Sequence, residues 1–399
     1  MNANSLSDNF FQRLARVSGP IEQATGLPNE AYTSLAYGEL ERDRLFAPSW
    51  MAIGVGASLP KPGDARPVEI LGQPLMMLRD RNGEIQVFHN VCSHRGVELI
   101  TKSCNVGSAI TCPYHSWTYS LDGSLRATPM IGGTGKHTCP GFDKKRHGLK
   151  PVRSAVWADI IFVNLSGAGP RFGDFIAPLE ERWADFDLSM LRHGGADSRI
   201  QFDLNCNWKL AVENYCESYH LPWVHPVLNS YSKLEDHYHI ELEDHFSGQG
   251  SLAYIPSLSD DGRRLPAFEG LAEKWYKGGE WVALYPNVLL GIHADHFFVI
   301  VLEPVSMERT REHIELYYLP EAAETDEYGD LRRNNIEAWR EVFSEDVGVV
   351  EAMQRGRASP AFTGGAFSPV MDGPTYCFHK WAARRLCNPA HGLAQAVGD

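Results

Sequence analysis

Two short segments of the chain each carry one cysteine and one histidine. The first is Cys92-Ser-His94 and the second is Cys112-Pro-Tyr-His115, with seventeen residues between them. Thiolate and imidazole groups are the ligands that zinc and iron–sulfur centres use in proteins. Four such groups on two short loops predict a metal centre, and binding the metal would force the chain to bring the two loops together.

The order of the ligands separates two kinds of centre. Structural zinc sites usually group their cysteines in one pair and their histidines in another. Here each pair is mixed, and a Rieske [2Fe-2S] cluster needs two cysteines on one iron and two histidines on the other. The pattern favours a Rieske cluster held by Cys92, His94, Cys112 and His115, and a zinc knuckle is the alternative.

The composition limits the class of protein that holds this centre. There are 37 Lys and Arg residues against 50 Asp and Glu residues, and the net charge of −13 argues against a nucleic-acid-binding protein. Eight cysteines in 399 residues are too few for a disulfide scaffold. Since no membrane-spanning apolar run and no secretory signal is visible, we expect a cytoplasmic protein with reduced thiols.

The pattern of predicted elements changes along the chain. Short strands and hairpin signals such as Asn82-Gly83 and Asp122-Gly123 surround the cysteine–histidine loops. Helical and strand-like stretches alternate further on, which predicts an α+β domain with an antiparallel sheet. We therefore expect a small all-β domain inserted into a larger helix-plus-antiparallel-sheet domain. The expected division is an N-terminal helical part at 1–45, the Rieske domain at 46–166 and the remainder of the larger domain at 167–399.

A second group of candidate ligands lies in the larger domain. His220 and His225 are five residues apart, and on one continuous helix they would point about 140° away from each other. Pro222 predicts that the helix ends between them, so that His220 lies on its last turn and His225 folds back from the next loop. Glu217 precedes His220 by three residues, which on a helix places both on one face.

The third member of such a group is expected to be a carboxylate, because two histidines and one carboxylate form the facial triad of non-heme iron oxygenases. Residues 333–355 have the apolar spacing of an amphipathic helix, and Asp346 falls on its apolar face. A buried carboxylate needs a partner, which an iron ion would supply. Glu345 points about 100° away and is the weaker candidate. The alternative is an Asp paired with a core arginine or a helix N-terminus.

Three segments of the chain resemble the Rieske non-heme iron oxygenases. Asn90-Val-Cys92-Ser-His94-Arg-Gly96 and Cys112-Pro-Tyr-His115-Ser-Trp117 resemble the Rieske domain of that family, and the segment around Ser344-Glu345-Asp346 resembles the C-terminal signature of its large subunit. The resemblance implies a [2Fe-2S] cluster on the two loops. It also implies a mononuclear Fe(II) whose ligands are His220, His225 and Asp346.

The resemblance also implies how the protein works and with what partners. In this family the cluster passes electrons to the mononuclear iron, where dioxygen is activated. The chain has no nucleotide-binding fingerprint, so the electrons would come from NAD(P)H through a separate flavin or iron–sulfur reductase. The large subunits form rings, commonly homotrimers, in which an acidic residue connects the cluster of one copy to the iron of the next. Glu217 occupies that position, and we expect Glu217 and Asn214 to be catalytic residues.

The substrate class is predicted from the resemblance of one motif to a single branch of this family. The compact Glu-Asn-x-x-Glu-x-Tyr-His motif that ends at His220 resembles the branch that oxidises quaternary ammonium compounds such as carnitine, glycine betaine and stachydrine. This predicts N-demethylation or C–N cleavage. Aromatic residues further along could form a cage for a quaternary cation, although most are expected to be ordinary core or surface residues. They are Tyr231, Tyr238, Tyr254, Trp275, Tyr276, Trp281, Tyr285 and Phe297.

Other interpretations of the same residues stay open at this point. An oxygenase of an aromatic or cyclic acid would also suit a pocket of this composition. A non-enzymatic electron-transfer or structural metal protein would need only the cysteine–histidine loops. Five further histidines are interpreted as structural residues or polar residues of the pocket, not as iron ligands: His237, His239, His245, His293 and His296.

Overall fold

The computed structural model describes residues 8–387, and this part of the chain forms two compact units. The smaller unit comprises residues 52–167, and the described residues on either side of it in sequence form the larger unit. The expected fold class is confirmed, since a small β unit interrupts a unit of helices and one large antiparallel sheet. Within residues 8–387, no helix has both the length and the apolar character needed to cross a membrane.

The smaller unit is built from short antiparallel strands. They form three sheets in the orders β1-β10-β9, β4-β3-β2-β5 and β6-β7-β8. The predicted hairpins at Gly83 and Gly123 are confirmed, and both glycines adopt the left-handed backbone that such turns require (φ +87° and +81°). The strands are β1 Met51–Val55, β2 Asp64–Ile70, β3 Gln73–Arg79, β4 Ile85–His89, β5 Cys104–Asn105, β6 Ile110–Thr111, β7 Thr118–Tyr119, β8 Leu125–Ala127, β9 Arg153–Trp157 and β10 Ile160–Asn164.

The larger unit contains an eight-stranded antiparallel sheet. Its strand order is β11-β18-β17-β16-β15-β14-β13, and β12 also pairs with β18. Strands β14 to β16 are buried along their whole length, which places them between other layers of the unit. The strands are β11 Arg192–His193, β12 Arg199–Leu204, β13 His237–Leu242, β14 Phe246–Ser251, β15 Gly279–Leu284, β16 Val288–His293, β17 His296–Ser306 and β18 Arg309–Tyr318.

The helices of the larger unit cover this sheet. Helices α5, α9 and α10 contact its strands, and α5 also contacts both other helices. They are α1 Asp8–Arg16, α2 Glu30–Thr33, α3 Leu35–Glu41, α4 Phe172–Arg182, α5 Trp208–Cys216, α6 Leu221–Val224, α7 Pro226–Tyr231, α8 Pro320–Glu324, α9 Gly329–Arg357 and α10 Gly373–Cys387. The amphipathic helix predicted at 333–355 is confirmed as α9, which buries Ile336, Trp339, Phe343 and Val350.

The prediction that His220 lies on the last turn of a helix is wrong. Helix α5 ends at Cys216, and Glu217 already has extended backbone (φ −122°, ψ 159°). The side-chain amide of Gln249 on β14 donates to the carbonyl oxygen of Glu217 (2.9 Å), which holds this residue out of the helix. Tertiary contact with the sheet therefore ends α5 several residues before Pro222, and Glu217 and His220 do not share a helical face.

Candidate metal centres and the pocket beside them

The two cysteine–histidine loops have the same backbone hydrogen bonds. In the first loop the N–H of Gly96 donates to the carbonyl of Cys92 (3.0 Å), and in the second the N–H of Ser116 donates to the carbonyl of Cys112 (3.1 Å). Gly96 and Ser116 also share a left-handed backbone, with φ of +73° and +57°. Each loop is therefore a tight turn closed on its own cysteine.

The side chains of these loops divide between the core and the surface. Cys92 and Cys112 are buried in the core of the smaller unit, with a free thiol each, whereas His94 is exposed. The rings of His94 and His115 lie 4.7 Å apart between centroids. Nδ1 of His115 is buried and has no hydrogen-bond partner in the described structure, as expected of an atom that coordinates a metal. The chemistry of this set fits a mixed cysteine–histidine cluster.

Neighbouring residues support the loops from the core side. The hydroxyl of Tyr119 lies 3.2 Å from Sγ of Cys92 and accepts a hydrogen bond from the backbone N–H of Ser93. Burial, together with the hydrogen bond to Cys92, raises the pKa of Tyr119 to about 12, so the phenol stays neutral beside the sulfur. Trp117 stacks on His94 at 4.6 Å and 8°. These contacts orient the first loop without using its exposed face.

The second group of candidate ligands converges in the larger unit. One ligand atom each of His220, His225 and Asp346 lies within 4.8 Å of the others, the single such convergence of histidine, cysteine and acidic groups among residues 8–387. Oδ1 of Asp346 lies 3.0 Å from Nε2 of His225 and 3.7 Å from Nε2 of His220. Two imidazole nitrogens and one carboxylate oxygen can hold one divalent cation and leave other positions open.

Short helices position the two histidines. His220 is the residue before α6, and His225 lies between α6 and α7, with its N–H donating to the carbonyl of Leu221 (2.9 Å). Pro222 lies in the first turn of α6, where a proline costs no hydrogen bond. One turn of helix therefore carries His225 back to the side of His220, and α9 supplies Asp346 from the opposite side.

A second carboxylate orients each histidine. Oε1 of Glu217 lies 2.6 Å from Nδ1 of His220, and Oε2 of Glu345 lies 2.6 Å from Nδ1 of His225. Although burial opposes it, hydrogen bonds to Asp346 and Glu345 raise the pKa of His225. Carboxylates on the far nitrogen fix the tautomer of a ligating histidine and make it a stronger ligand. Helical angle alone made Glu345 the weaker candidate for an iron ligand, and it gives no sign of this contact with His225.

Two further polar residues lie near Asp346. The side-chain amide of Asn214 donates to Oδ1 of Asp346 (3.1 Å). Glu312 on β18 is buried, and its burial together with the nearby charge of Asp346 raises its pKa to about 8. Glu312 was not singled out by sequence analysis, because only the sheet register brings it behind Asp346.

A small cavity opens beside the three converging residues. Its walls include Trp281, Trp339, Phe343, His237 and Gln249, and none of the described residues that line it is a lysine or an arginine. The indoles of Trp281 and Trp339 are 6.5 Å apart between centroids. The cavity therefore offers aromatic side chains and one carboxylate, that of Asp346, and suits a cation better than an anion.

The eight aromatic residues considered for a cage are not all at this cavity. Trp281 lines it, and Tyr254 stacks on the Trp339 side of it (5.8 Å, 14°) with Tyr231 beside Tyr254 (5.7 Å). The others contact different parts of the unit. Tyr238 bonds to Glu280, Trp275 to Asp185, Tyr276 to the carbonyl of Phe268, Tyr285 to Ser247, and Phe297 packs on Trp183.

Comparison with family models places two known domains on the chain. Residues 49–138 match the Rieske [2Fe-2S] domain, and residues 191–388 match the catalytic domain of the ring hydroxylating alpha subunit. The two matches cover the smaller unit's metal loops and most of the larger unit's sheet.

Similar proteins with curated descriptions extend over most of the chain. The carnitine monooxygenase oxygenase subunit of Acinetobacter pittii (strain PHEA-2) is 30% identical over 346 residues, which is 84% of this chain and 86% of that protein. The chloroplastic choline monooxygenase of Arabidopsis thaliana is 29% identical over 374 residues, covering 90% and 82%.

Solved structures have the same fold. The quaternary ammonium Rieske monooxygenase CntA, in complex with the inhibitor MMV12, matches with a TM-score of 0.75 and 26% identity, over 93% of this chain and 98% of that one. Naphthalene 1,2-dioxygenase from Rhodococcus sp. matches with a TM-score of 0.73 at 19% identity, which shows the fold alone.

Proposed function

Because this chain belongs to the Rieske non-heme iron oxygenases, with a [2Fe-2S] cluster and a mononuclear iron, we propose that its substrate is a quaternary ammonium compound. The two iron centres supply stored electrons and the activation of dioxygen. The observation that supports this proposal most strongly is the cavity beside His220, His225 and Asp346. It combines two indoles with the carboxylate of Asp346 and has no lysine or arginine among its described lining residues. The similarity to carnitine and choline monooxygenases supports the same class of substrate.

The proposed ligands follow from the donor atoms. Cys92 and Cys112 would hold one iron of the cluster, and His94 and His115 the other, since both cysteines belong to the buried core of the smaller unit and Nδ1 of His115 has no other partner in the described structure. Three convergent donors remain for the mononuclear iron: His220, His225 and Asp346.

The protein's own side chains bind and orient the substrate. The faces of Trp281 and Trp339 attract the trimethylammonium group and exclude water around it. Glu217 and Glu345 hold the two imidazoles in place through their Nδ1 atoms, and Asn214 holds the Asp346 carboxylate. These contacts would hold His220, His225 and Asp346 in place around a bound iron, beside the cavity in which the substrate's N-methyl or N-methylene carbon would lie.

The net reaction balances as a monooxygenation. One C–H bond next to nitrogen and one molecule of dioxygen, with two electrons and two protons, give a C–OH group and one water. As the C–N bond then breaks, the hydroxylated carbon becomes an aldehyde and its O–H proton is released to solvent. The nitrogen keeps the bonding electron pair and leaves as a neutral tertiary amine. The two electrons come from a separate reductase.

Exposed aromatic and apolar side chains support a ring assembly. Near Glu217, the surface carries Tyr219, Trp223 and Val227, which are 44%, 71% and 56% exposed. At the loop tips of the smaller unit, Tyr114 is 57% exposed. Apolar groups that stay exposed in one copy mark a protein interface. In the proposed ring, the loop tips of one copy dock on the Glu217 surface of the next, and Glu217 lies between the two centres.

A turnover screen tests the substrate class. Purified holoprotein is combined with a surrogate reductase and NADH, and oxygen uptake is measured with L-carnitine, choline, glycine betaine and a benzoate as the aromatic acid. We expect oxygen uptake with at least one quaternary ammonium compound, with formation of aldehyde. Turnover of the benzoate alone would contradict the proposal.

Mixed assemblies test the proposed route of the electrons. Cys92→Ser lacks the cluster and Asp346→Ala lacks the mononuclear iron, so each variant alone is expected to be inactive. If electrons pass between copies, co-expressed mixed oligomers recover a measurable fraction of the wild-type turnover. If oligomers that contain equal amounts of the two variants recover no turnover, each copy must use its own cluster.

A further inference from the structure

Gln249 connects the wall of the proposed substrate cavity to Glu217. It lines the cavity, is 7% exposed, and donates from its side-chain amide to the carbonyl oxygen of Glu217 (2.9 Å). A carbonyl oxygen only accepts hydrogen bonds, so the NH₂ end of the amide faces Glu217 and Oε1 faces away from it. The contact therefore fixes which way the amide points.

His237 holds the other end of the same amide. Nδ1 of His237 lies 2.7 Å from Oε1 of Gln249, and because that oxygen only accepts, Nδ1 carries the proton. Nε2 lies 3.0 Å from the hydroxyl of Ser232. Burial lowers the pKa of His237, which keeps the ring neutral. Both ends of the Gln249 amide are thus used by the protein itself.

The register of the sheet places these residues on one face. Gln249 on β14 lies directly opposite Trp281 on β15, and His237 on β13 lies diagonally across from Gln249. The imidazole of His237 is parallel to the indole of Trp281, at 5.8 Å between centroids and 7°. All three residues line the cavity. The wall of the cavity and the contact with Glu217 are therefore parts of one packed group.

Glu217 in turn orients the turn that carries His220. Its carboxylate accepts from the backbone N–H groups of Tyr219 and His220, and Oε1 lies 2.6 Å from Nδ1 of His220. The backbone of Glu217 is extended, and Gln249 ties it to the sheet. Without this tie the helix α5 could continue toward Pro222, and the carboxylate would turn away with it.

We infer that Gln249 is a positioning residue for electron transfer between the two centres. Its amide holds Glu217 on the proposed route from the cluster of one copy to the mononuclear centre of the next, and His237 fixes that amide from the cavity wall. One electron leaves each reduced cluster along this route, and dioxygen is the final acceptor. The inference rests on the proposed function, because it requires Glu217 to lie between the two centres.

A single turnover of reduced holoprotein tests the inference. The protein is reduced, freed of reductant and mixed with oxygen, L-carnitine, choline and glycine betaine, and the absorption of the cluster is followed. Gln249→Met keeps the length of the side chain and removes both ends of the amide. We expect cluster re-oxidation to slow by about tenfold, the rate change that corresponds to one lost hydrogen bond, while iron and sulfide contents stay at wild-type values.

Two further variants rank the contacts. His237→Phe keeps a flat ring and removes only the donor to Gln249. Because the bond from Gln249 to Glu217 remains, re-oxidation should slow less, by about threefold. Gln201→Met makes the matched substitution on β12 of the same sheet, where the side chain is exposed and does not line the cavity, and should re-oxidise at the wild-type rate.

Amide hydrogen exchange separates positioning from a general loss of stability. The N–H groups of Tyr219 and His220 are protected by the carboxylate of Glu217. In Gln249→Met their exchange should become about tenfold faster, whereas the amides of β15 and β16 should exchange as in wild type. A purely structural defect would speed exchange through the whole sheet.

The outcomes separate the inference from the proposed function. Re-oxidation of Gln249→Met at the wild-type rate would overturn the role of Gln249, whatever its amide exchange shows. Loss of the mononuclear iron in Gln249→Met, or faster exchange throughout the sheet, would also overturn it, because Gln249 would then support the metal site or the fold. If Glu217→Gln itself re-oxidises at the wild-type rate, the proposed electron route is contradicted and the inference falls with it.

Discussion

The two candidate metal centres are built by different means. The cysteine–histidine loops lie within residues 92–115, and each is closed by backbone hydrogen bonds onto its own cysteine. The other centre joins the segment after α5 to a helix that begins more than a hundred residues later, through side chains alone. A site made by local turns depends on residue spacing, whereas a site made by packing depends on the whole larger unit.

The supporting contacts differ in the same way. At the loop site His94 is exposed and His115 is half-buried, and Tyr119 and Trp117 support the site from the core side. At the packed site, the carboxylates of Glu217 and Glu345 hold both imidazoles from behind. We therefore expect either site to fail when one of its ligands is lost, and the packed site to respond also, by a smaller step, to changes in the carboxylates that support its ligands.

Loss of a loop cysteine is expected to have the largest effect. Cys92→Ser or Cys112→Ser removes one of two thiolates from one iron, so the cluster absorption and all multiple turnover should disappear. Absorption and EPR spectra of the reduced protein check this. The mononuclear iron should remain, because no residue of the loops is a proposed ligand of it. A variant that kept the full reduced-state signal would remove that cysteine from the ligand set.

Loss of Asp346 is expected to abolish only one centre. Asp346→Ala leaves two imidazoles, too few donors to hold Fe(II), so the protein should lose one iron per chain and keep the Rieske spectrum. The matched control is Glu345→Ala, one residue away on α9, which should weaken iron binding by about tenfold because it supports only His225. If Glu345→Ala loses the iron and Asp346→Ala keeps it, Glu345 is the ligand instead of Asp346.

Substitution of Glu217 should reduce iron affinity less than the loss of Asp346 does, and should slow electron transfer more than it weakens metal binding. Glu217→Gln keeps the size of the side chain and removes its charge, so iron affinity should fall by no more than about tenfold. Cluster re-oxidation in a single turnover of pre-reduced protein should slow much more. Glu217→Asp, which keeps the charge on a shorter side chain, should be partly active. Re-oxidation of Glu217→Gln at the wild-type rate would exclude Glu217 from the electron route.

The smallest expected effect comes from substitutions that change the backbone preference of the two loops. Gly96 and Ser116 hold equivalent left-handed positions, which glycine adopts freely and other residues adopt at about 1 kcal/mol. Gly96→Ala should lower the urea midpoint for loss of the cluster, and Ser116→Gly should raise it slightly. An unchanged midpoint in Gly96→Ala would show that the loop geometry does not limit cluster stability.

The same contrast explains what could be predicted from the sequence. The loop spacing was sufficient to predict a mixed cysteine–histidine centre, because those contacts are local. The apolar stripe of α9 predicted that Asp346 faces the interior, but helical angle could not predict that the longer side chain of Glu345 reaches His225. The early end of α5 depends on Gln249 from the sheet, and the contact of Gln249 with His237 depends on the register of β13 and β14. Neither has a signal in local sequence.

Iron and acid-labile sulfide analysis of the purified chain tests most directly whether both centres exist together. We expect about three irons and two sulfides per chain in wild type, and about two irons and two sulfides in Asp346→Ala. Two irons and two sulfides in wild type would mean an electron carrier without a mononuclear site. Zinc without sulfide would contradict the assignment of the loops as well.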